Sequence, residues 1–124
     1  MNVGAELQHA TLAVQPEGNS LRARLCFSGR EFFFQGHFPE RPVLPAVVQV
    51  AAAVHFAGLL LGGPQRLAEV TRAKFQSPTG PGVELALQLV VDAPEPGRTR
   101  VRASLHDGDT EVSELVLRVV PEPE

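Results

Sequence analysis

From Val43 to Leu61 the chain is apolar at almost every position, and the run stops abruptly at Gly62-Gly63-Pro64. The Ala-rich part, Ala46 to Leu61, is unbroken, and a glycine pair followed by proline is a strong stop signal for a helix. A helix that is apolar on all sides must be surrounded, so the remainder of the chain has to supply the wrapping. The run is close to membrane-spanning length, but Pro45 near its start and Gln49 and His55 within it are costly in lipid. The expectation is a helix buried in a soluble domain, with no membrane as partner.

The segments on either side suit that task. Gln8 to Gln15 and Ser20 to Ser28 read as a first strand pair joined by a turn at Pro16-Glu17-Gly18-Asn19. In the second, Leu21, Ala23, Leu25 and Phe27 face one way, and Arg22, Arg24 and Cys26 the other. In Phe32, Phe33 and Phe34, alternation sends Phe32 and Phe34 one way and Phe33 the other, putting at least one face of the triplet on the core or on a tunnel. After the helix, Arg66 to Gln76, Val83 to Asp92, Thr99 to His106 and Thr110 to Val120 are strand candidates, the last two joined at Asp107-Gly108-Asp109. Two strands, one long buried helix and four strands make an α+β chain in which an antiparallel sheet wraps a helix. At 124 residues, 1–124 is expected to be a single domain.

Composition removes several classes of function. Eleven Lys and Arg are scattered among fourteen acids, for a net charge of -3, so no basic face exists for nucleic acid. Cys26 is the lone cysteine, which rules out an internal disulfide or a cysteine metal cluster and implies a reducing compartment. The beginning of the chain lacks the basic and long apolar regions of a secretory signal, so the expected location is cytoplasmic. No metal-ligand cluster, phosphate loop or serine triad pattern stands out.

Chemistry concentrates just before the helix, in Gly36-His37-Phe38-Pro39 and Arg41-Pro42-Val43-Leu44-Pro45. This segment resembles the active-site segment of the hot-dog-fold 3-hydroxyacyl-[acyl-carrier-protein] dehydratases of fatty acid synthesis and of aryl polyene pathways. A second stretch, Ala73-Lys74-Phe75-Gln76-Ser77-Pro78 with Pro81-Gly82-Val83-Glu84-Leu85, is similar to that family's strand-turn-strand after the helix. The resemblance implies a hot-dog fold, a substrate carried on the phosphopantetheine of an acyl carrier protein, no other cofactor, and a dimer with active sites built across its interface. It implies His37 as catalytic base, with Phe38, Pro39, Val43, Leu44, Pro45 and Ala46 around the substrate.

Dehydration of a 3-hydroxyacyl thioester needs a base for the proton beside the carbonyl, an acid for the departing hydroxyl and a donor for the thioester oxygen. A neutral imidazole at His37 suits the first role. The first turn of the helix suits the third, because its N–H groups are unpaired and its dipole favours negative charge. Pro45 fits the first helical position, having no N–H to leave unpaired. Ala46 keeps its N–H where the family usually has glycine.

The acid is where the chain departs from its family: the usual helix carboxylate falls on Ala51. His55, one turn further along the same helix face, is the in-chain candidate to replace it, as imidazolium. Gln49 points to a different face and offers only an amide. Glu31, Glu40 and Glu69 are the carboxylates near the matched segments, and Arg41, Arg66, Arg72 and Lys74 are candidate contacts for an acidic carrier protein. Two readings follow. One is a dehydratase with an unconventional or borrowed acid; the other is a non-catalytic hot-dog subunit that binds acyl thioesters or completes a heteromeric enzyme. Thioester hydrolysis on the same fold also usually requires the helix carboxylate.

Overall fold

A computed structural model describes residues 2–35, 42–92 and 98–123. Its elements are α1 (Val3–Ala10), β1 (Thr11–Glu17), β2 (Ser20–Leu25), a single 3-10 turn over Phe32–Phe34, α2 (Ala46–Leu61), β3 (Gln65–Phe75), β4 (Leu85–Val91), β5 (Thr99–Asp107) and β6 (Thr110–Pro121). All strand pairs are antiparallel, in one six-stranded sheet of order β1-β2-β4-β5-β6-β3. The sheet curls over the long helix, as the apolar run required. Among the described residues no helix is long and apolar enough to cross a membrane.

The start of the chain corrects the expected first strand. Asn2 caps a short helix, its side chain accepting a hydrogen bond from the Ala5 N–H at 3.3 Å, and Glu6 lies in the favourable first turn. Leu7 and Ala10 bury one side of α1, and the strand begins only at Thr11. A second correction falls on Phe32–Phe34, which form a tight turn rather than an extended strand. The Glu31 carboxylate fixes the bend just before that turn, accepting from the N–H groups of Ser28 (3.0 Å) and Gly29 (2.8 Å). Phe33 and Phe34 then pack edge-on against Phe27, with ring centroids 5.6 and 6.0 Å away.

The alternation expected of the second strand is present: Leu21, Ala23, Leu25 and Phe27 are buried, while Arg22 and Arg24 are exposed. The core lies between this inner sheet face and the row Val48, Gln49, Ala52, Ala53, Phe56, Ala57 of α2. Alanines on that row let helix and sheet approach closely, and the fully buried Phe56 fills the space beyond them. The helix ends at Gly62, which takes the left-handed φ of 82° that glycine adopts without a Cβ penalty.

One face of α2 is not surrounded. Val47 is 73% exposed and Leu59 53%. The inward positions of β3 share this condition: Leu67, Val70 and Phe75 pair with the buried Val119, Leu117 and Ser113, yet each is more than 40% exposed. Cross-strand partners lie on one face of a sheet, so these three side chains point to the helix side where no helix covers them.

Candidate active site

The two sequence motifs, some thirty-five residues apart, meet in space. The Leu44 N–H donates to the Thr79 carbonyl at 2.7 Å, and the Gly82 N–H donates to the Phe27 carbonyl at 2.8 Å. The 77–82 loop is thus held between the segment that leads into α2 and the end of β2. Gly80 makes this approach possible, because a Cβ there would stand 2.5 Å from the Pro42 carbonyl oxygen. His37, Phe38 and Pro39, with Glu40 and Arg41, lie outside the described residues. Val43 and Leu44 follow directly, Leu44 buried and Val43 half-buried.

At the head of α2, Pro45 is the N-cap, with an extended ψ of 147°, and Ala46 is the first helical residue, one position later than expected. The N–H groups of Val48 and Gln49 both return to the Pro45 carbonyl, at 3.1 and 3.2 Å. Those of Ala46 and Val47 are the orphan donors every helix start leaves, here with no capping side chain and no acidic residue in the first turn. Ala46 and Val47 are exposed, so this positive end is open to an incoming oxygen.

The two sides of α2 present different chemistry. Ala51 and His55 look away from the buried row of α2 into an open groove of about 420 Å³, lined also by Val47, Val50, Val54 and the β3 residue Leu67, with Glu122 at its rim. His55 and Ala51 therefore do share a face. The half-buried His55 ring stands edge-on to Phe56, with centroids 5.0 Å apart, and burial pushes its pKa below the ordinary value. A depressed pKa keeps the imidazole neutral at pH 7, which disfavours it as a stored proton. Gln49, in contrast, is buried on the sheet side, its Nε2 donating to the Leu44 carbonyl at 3.3 Å.

The other carboxylates separate clearly. Glu31 is buried; burial alone would raise its pKa, but the N–H groups of Ser28, Glu31 itself and Gly29, with the Ser28 hydroxyl, together hold it below the ordinary carboxylate value. It is a turn lock. Glu69 sits on the outer sheet surface beside Arg98 and Arg118, at 3.9 and 4.0 Å. Arg66, Arg72 and Lys74 are exposed along the β3 edge. Among the described residues, no group of three or more His, Cys, Asp or Glu side chains could hold a metal.

A family model described as ApeI dehydratase matches residues 13–114, which takes in both motifs, all of α2 and the whole sheet except the start of β1 and the end of β6. The chain belongs to the ApeI-like dehydratase family. FabZ, the 3-hydroxyacyl-[acyl-carrier-protein] dehydratase of Klebsiella pneumoniae, is 33% identical, with 74% of this chain and 68% of the relative covered. The FabZ of Salmonella arizonae matches to the same extent. Among solved structures, the dehydratase heterocomplex ApeI:P from Xenorhabdus doucetiae superposes with a TM-score of 0.73 at 27% identity, covering 89% of this chain and 96% of that one. A homologue of HP0420 from Helicobacter felis, at 14% identity and a TM-score of 0.70, shares the fold.

This ApeI-like protein is thus a hot-dog-fold, dehydratase-like protein of the FabZ and ApeI type. Sequence reasoning placed the helix and the Ala51–His55 face. It missed Gly80 as the contact between the motifs, the uncovered apolar shelf of β3 and the interior position of Gln49. The glycine of Thr79-Gly80-Pro81 was a readable signal for the first. The other two depend on which elements pack together.

Proposed function

We propose that this protein is a subunit of a 3-hydroxyacyl-thioester hydro-lyase, acting on substrate carried on the phosphopantetheine of an acyl carrier protein. His37 takes the proton from the carbon beside the carbonyl. The free N–H groups at the head of α2 receive the thioester oxygen as negative charge develops on it. Val43, Leu44, Pro45, Ala46, Phe38 and Pro39 enclose the reacting end, and Arg66, Arg72 and Lys74 meet the acidic carrier, joined by Arg41. The observation that carries the reading is the open, uncapped start of α2 directly following a family motif with its histidine intact.

The acid comes from a partner subunit. Ala51 cannot transfer a proton, and burial, which lowers the His55 pKa, leaves little of that ring protonated to donate near neutral pH. The face that carries both is the apolar groove beside the exposed Val47, Leu67 and Val70, which invites a second hot-dog subunit. A related solved assembly is itself a dehydratase heterocomplex. A homodimer would place Ala51 at both sites; a heteromer with a carboxylate-bearing subunit completes the site that uses His37. The second reading, a non-catalytic subunit that binds acyl thioesters, rests on the same alanine.

The test follows water loss from a 3-hydroxyacyl carrier-protein substrate by mass spectrometry. The homomeric protein turns over slowly or not at all, a carboxylate-bearing partner restores turnover, and His37→Ala abolishes it. Ala51→Glu raises the homomeric rate by about a hundredfold or more, the worth of a general acid. If Ala51→Glu and every partner leave the rate at background, the non-catalytic reading stands. Full homomeric activity that His55→Ala removes would return the acid role to His55.

A further inference from the structure

Gln49 is the one polar side chain on the sheet-facing row of α2, and its position sets it apart from the groove on the other side. It is 7% exposed, and only half its amide is satisfied: Nε2 donates to the Leu44 carbonyl, while Oε1 is buried without a hydrogen-bond partner. Gln49 lines an interior slot beneath the first turns of the helix, walled also by Leu44, Ala52, Ala53, Ala103 and the fully buried Ser113. Free space in the slot is about 10 Å³, room for one water-sized group. A buried acceptor left unpaired in apolar surroundings is costly, and its usual explanation is a donor supplied by something else.

The slot shares Leu44 and Val48 with the helix start proposed to receive the thioester oxygen: Leu44 precedes the N-cap Pro45, and the Val48 and Gln49 N–H groups return to its carbonyl. In a 3-hydroxyacyl thioester the hydroxyl oxygen sits two carbons from the thioester carbonyl, and it is the one donor on that part of the substrate. We infer that Gln49 Oε1 accepts a hydrogen bond from the C3 hydroxyl of the acyl chain, so that Gln49 selects hydroxylated over saturated acyl groups and orients the hydroxyl before it leaves. Gln49 takes and gives no proton; it is a binding residue, distinct from base and acid. This inference rests on the dehydratase reading and assigns a specificity role within it.

Binding separates the two. In a His37→Ala background, in which no water is lost, the affinities of 3-hydroxybutyryl-pantetheine and butyryl-pantetheine are compared by calorimetry. The hydroxylated ligand is expected to bind about tenfold more tightly, and Gln49→Met is expected to remove that preference while keeping the affinity for the saturated ligand. Equal affinities before mutation overturn the role of Gln49 and leave the thioester reading in place. A preference that survives Gln49→Met also overturns it, and means the slot holds a buried water only. Failure of either ligand to bind removes both readings. Should Gln49→Met lose its cooperative melting, Gln49→Asn, which retracts the oxygen by one carbon, is measured in its place with the same outcomes.

Discussion

At the scale of single residues, Glu31 and His55 show how burial and hydrogen bonding divide structural from chemical roles. Glu31 looked like a carboxylate available to the active site, yet both of its oxygens are engaged by the Ser28–Gly29 backbone. Glu31→Gln should destabilise the fold by about 1.5–3 kcal/mol, the range for hydrogen bonds to a charged group, read from urea unfolding at pH 7. Because the folded pKa is depressed, that stability is present above the unfolded value of 4.5 and fades as pH falls through the lower folded value. The wild-type advantage over Glu31→Gln should therefore shrink between pH 5 and pH 3.

His55 carries the same sign of shift with the opposite charge consequence. Its folded pKa lies below 6.5, so the unfolded chain binds the proton first, and stability that is full above 6.5 is lost as pH falls below it. A His55→Gln variant should flatten the decline in melting temperature between pH 7 and pH 5.5 relative to wild type. An unchanged slope would show that the ring stays solvated and leave it eligible as an acid.

At the scale of elements, the loop between β3 and β4 joins motifs that sequence separates. Leu44 is bonded to Thr79, and Gly80 lies against Pro42, immediately after the histidine segment. Any Cβ at Gly80 must displace backbone, which cannot give as a flexible side chain would. Gly80→Ala is expected to lower dehydration or thioester binding by about tenfold or more through misplacement of the segment entering α2. Circular dichroism should show the helix and sheet retained; unchanged activity would mean that the loop does not position the site. That contact was only half legible in advance. The motif residues were plain, but the 2.5 Å approach exists only once two distant loops are packed together.

The same limit explains the two misread elements. Gln8 to Gln15 alternates well enough to pass for strand, whereas Asn2, Glu6 and the burial of Leu7 and Ala10 make its first part a helix. Phe32–Phe34 has strand composition, but the Phe34 and Gln35 N–H groups return to the Glu31 and Phe32 carbonyls and close a 3-10 turn. In both cases a local hydrogen bond outweighed a periodic pattern.

At the scale of the whole molecule, the unfinished surface matters most. The curved sheet covers one side of α2 and leaves Val47 and Leu67 exposed beside Ala51 and His55, with Val70 and Phe75 exposed further along the same face of β3. Val70→Lys should shift the proposed assembly toward the 13.3 kDa monomer in sedimentation experiments, and abolish the proposed restoration of activity by a carboxylate-bearing partner. A wild-type protein that is monomeric at high concentration, and in every mixture with related subunits, would sink the shared-site proposal.

What the chain determined by itself was its class. A long apolar helix bounded by glycine and proline and strands with period two lead to a sheet-wrapped helix, because local propensity and apolar periodicity are properties of neighbours in sequence, and the resemblance of two ordered motifs added the dehydratase type. The tertiary structure decided the rest. It directed Ala51 and His55 into an open groove, buried Gln49 with a free oxygen, and left the inner face of β3 without a cover. Each depends on which surfaces meet across the fold, and side-chain burial is settled by those distant contacts rather than by the residue alone.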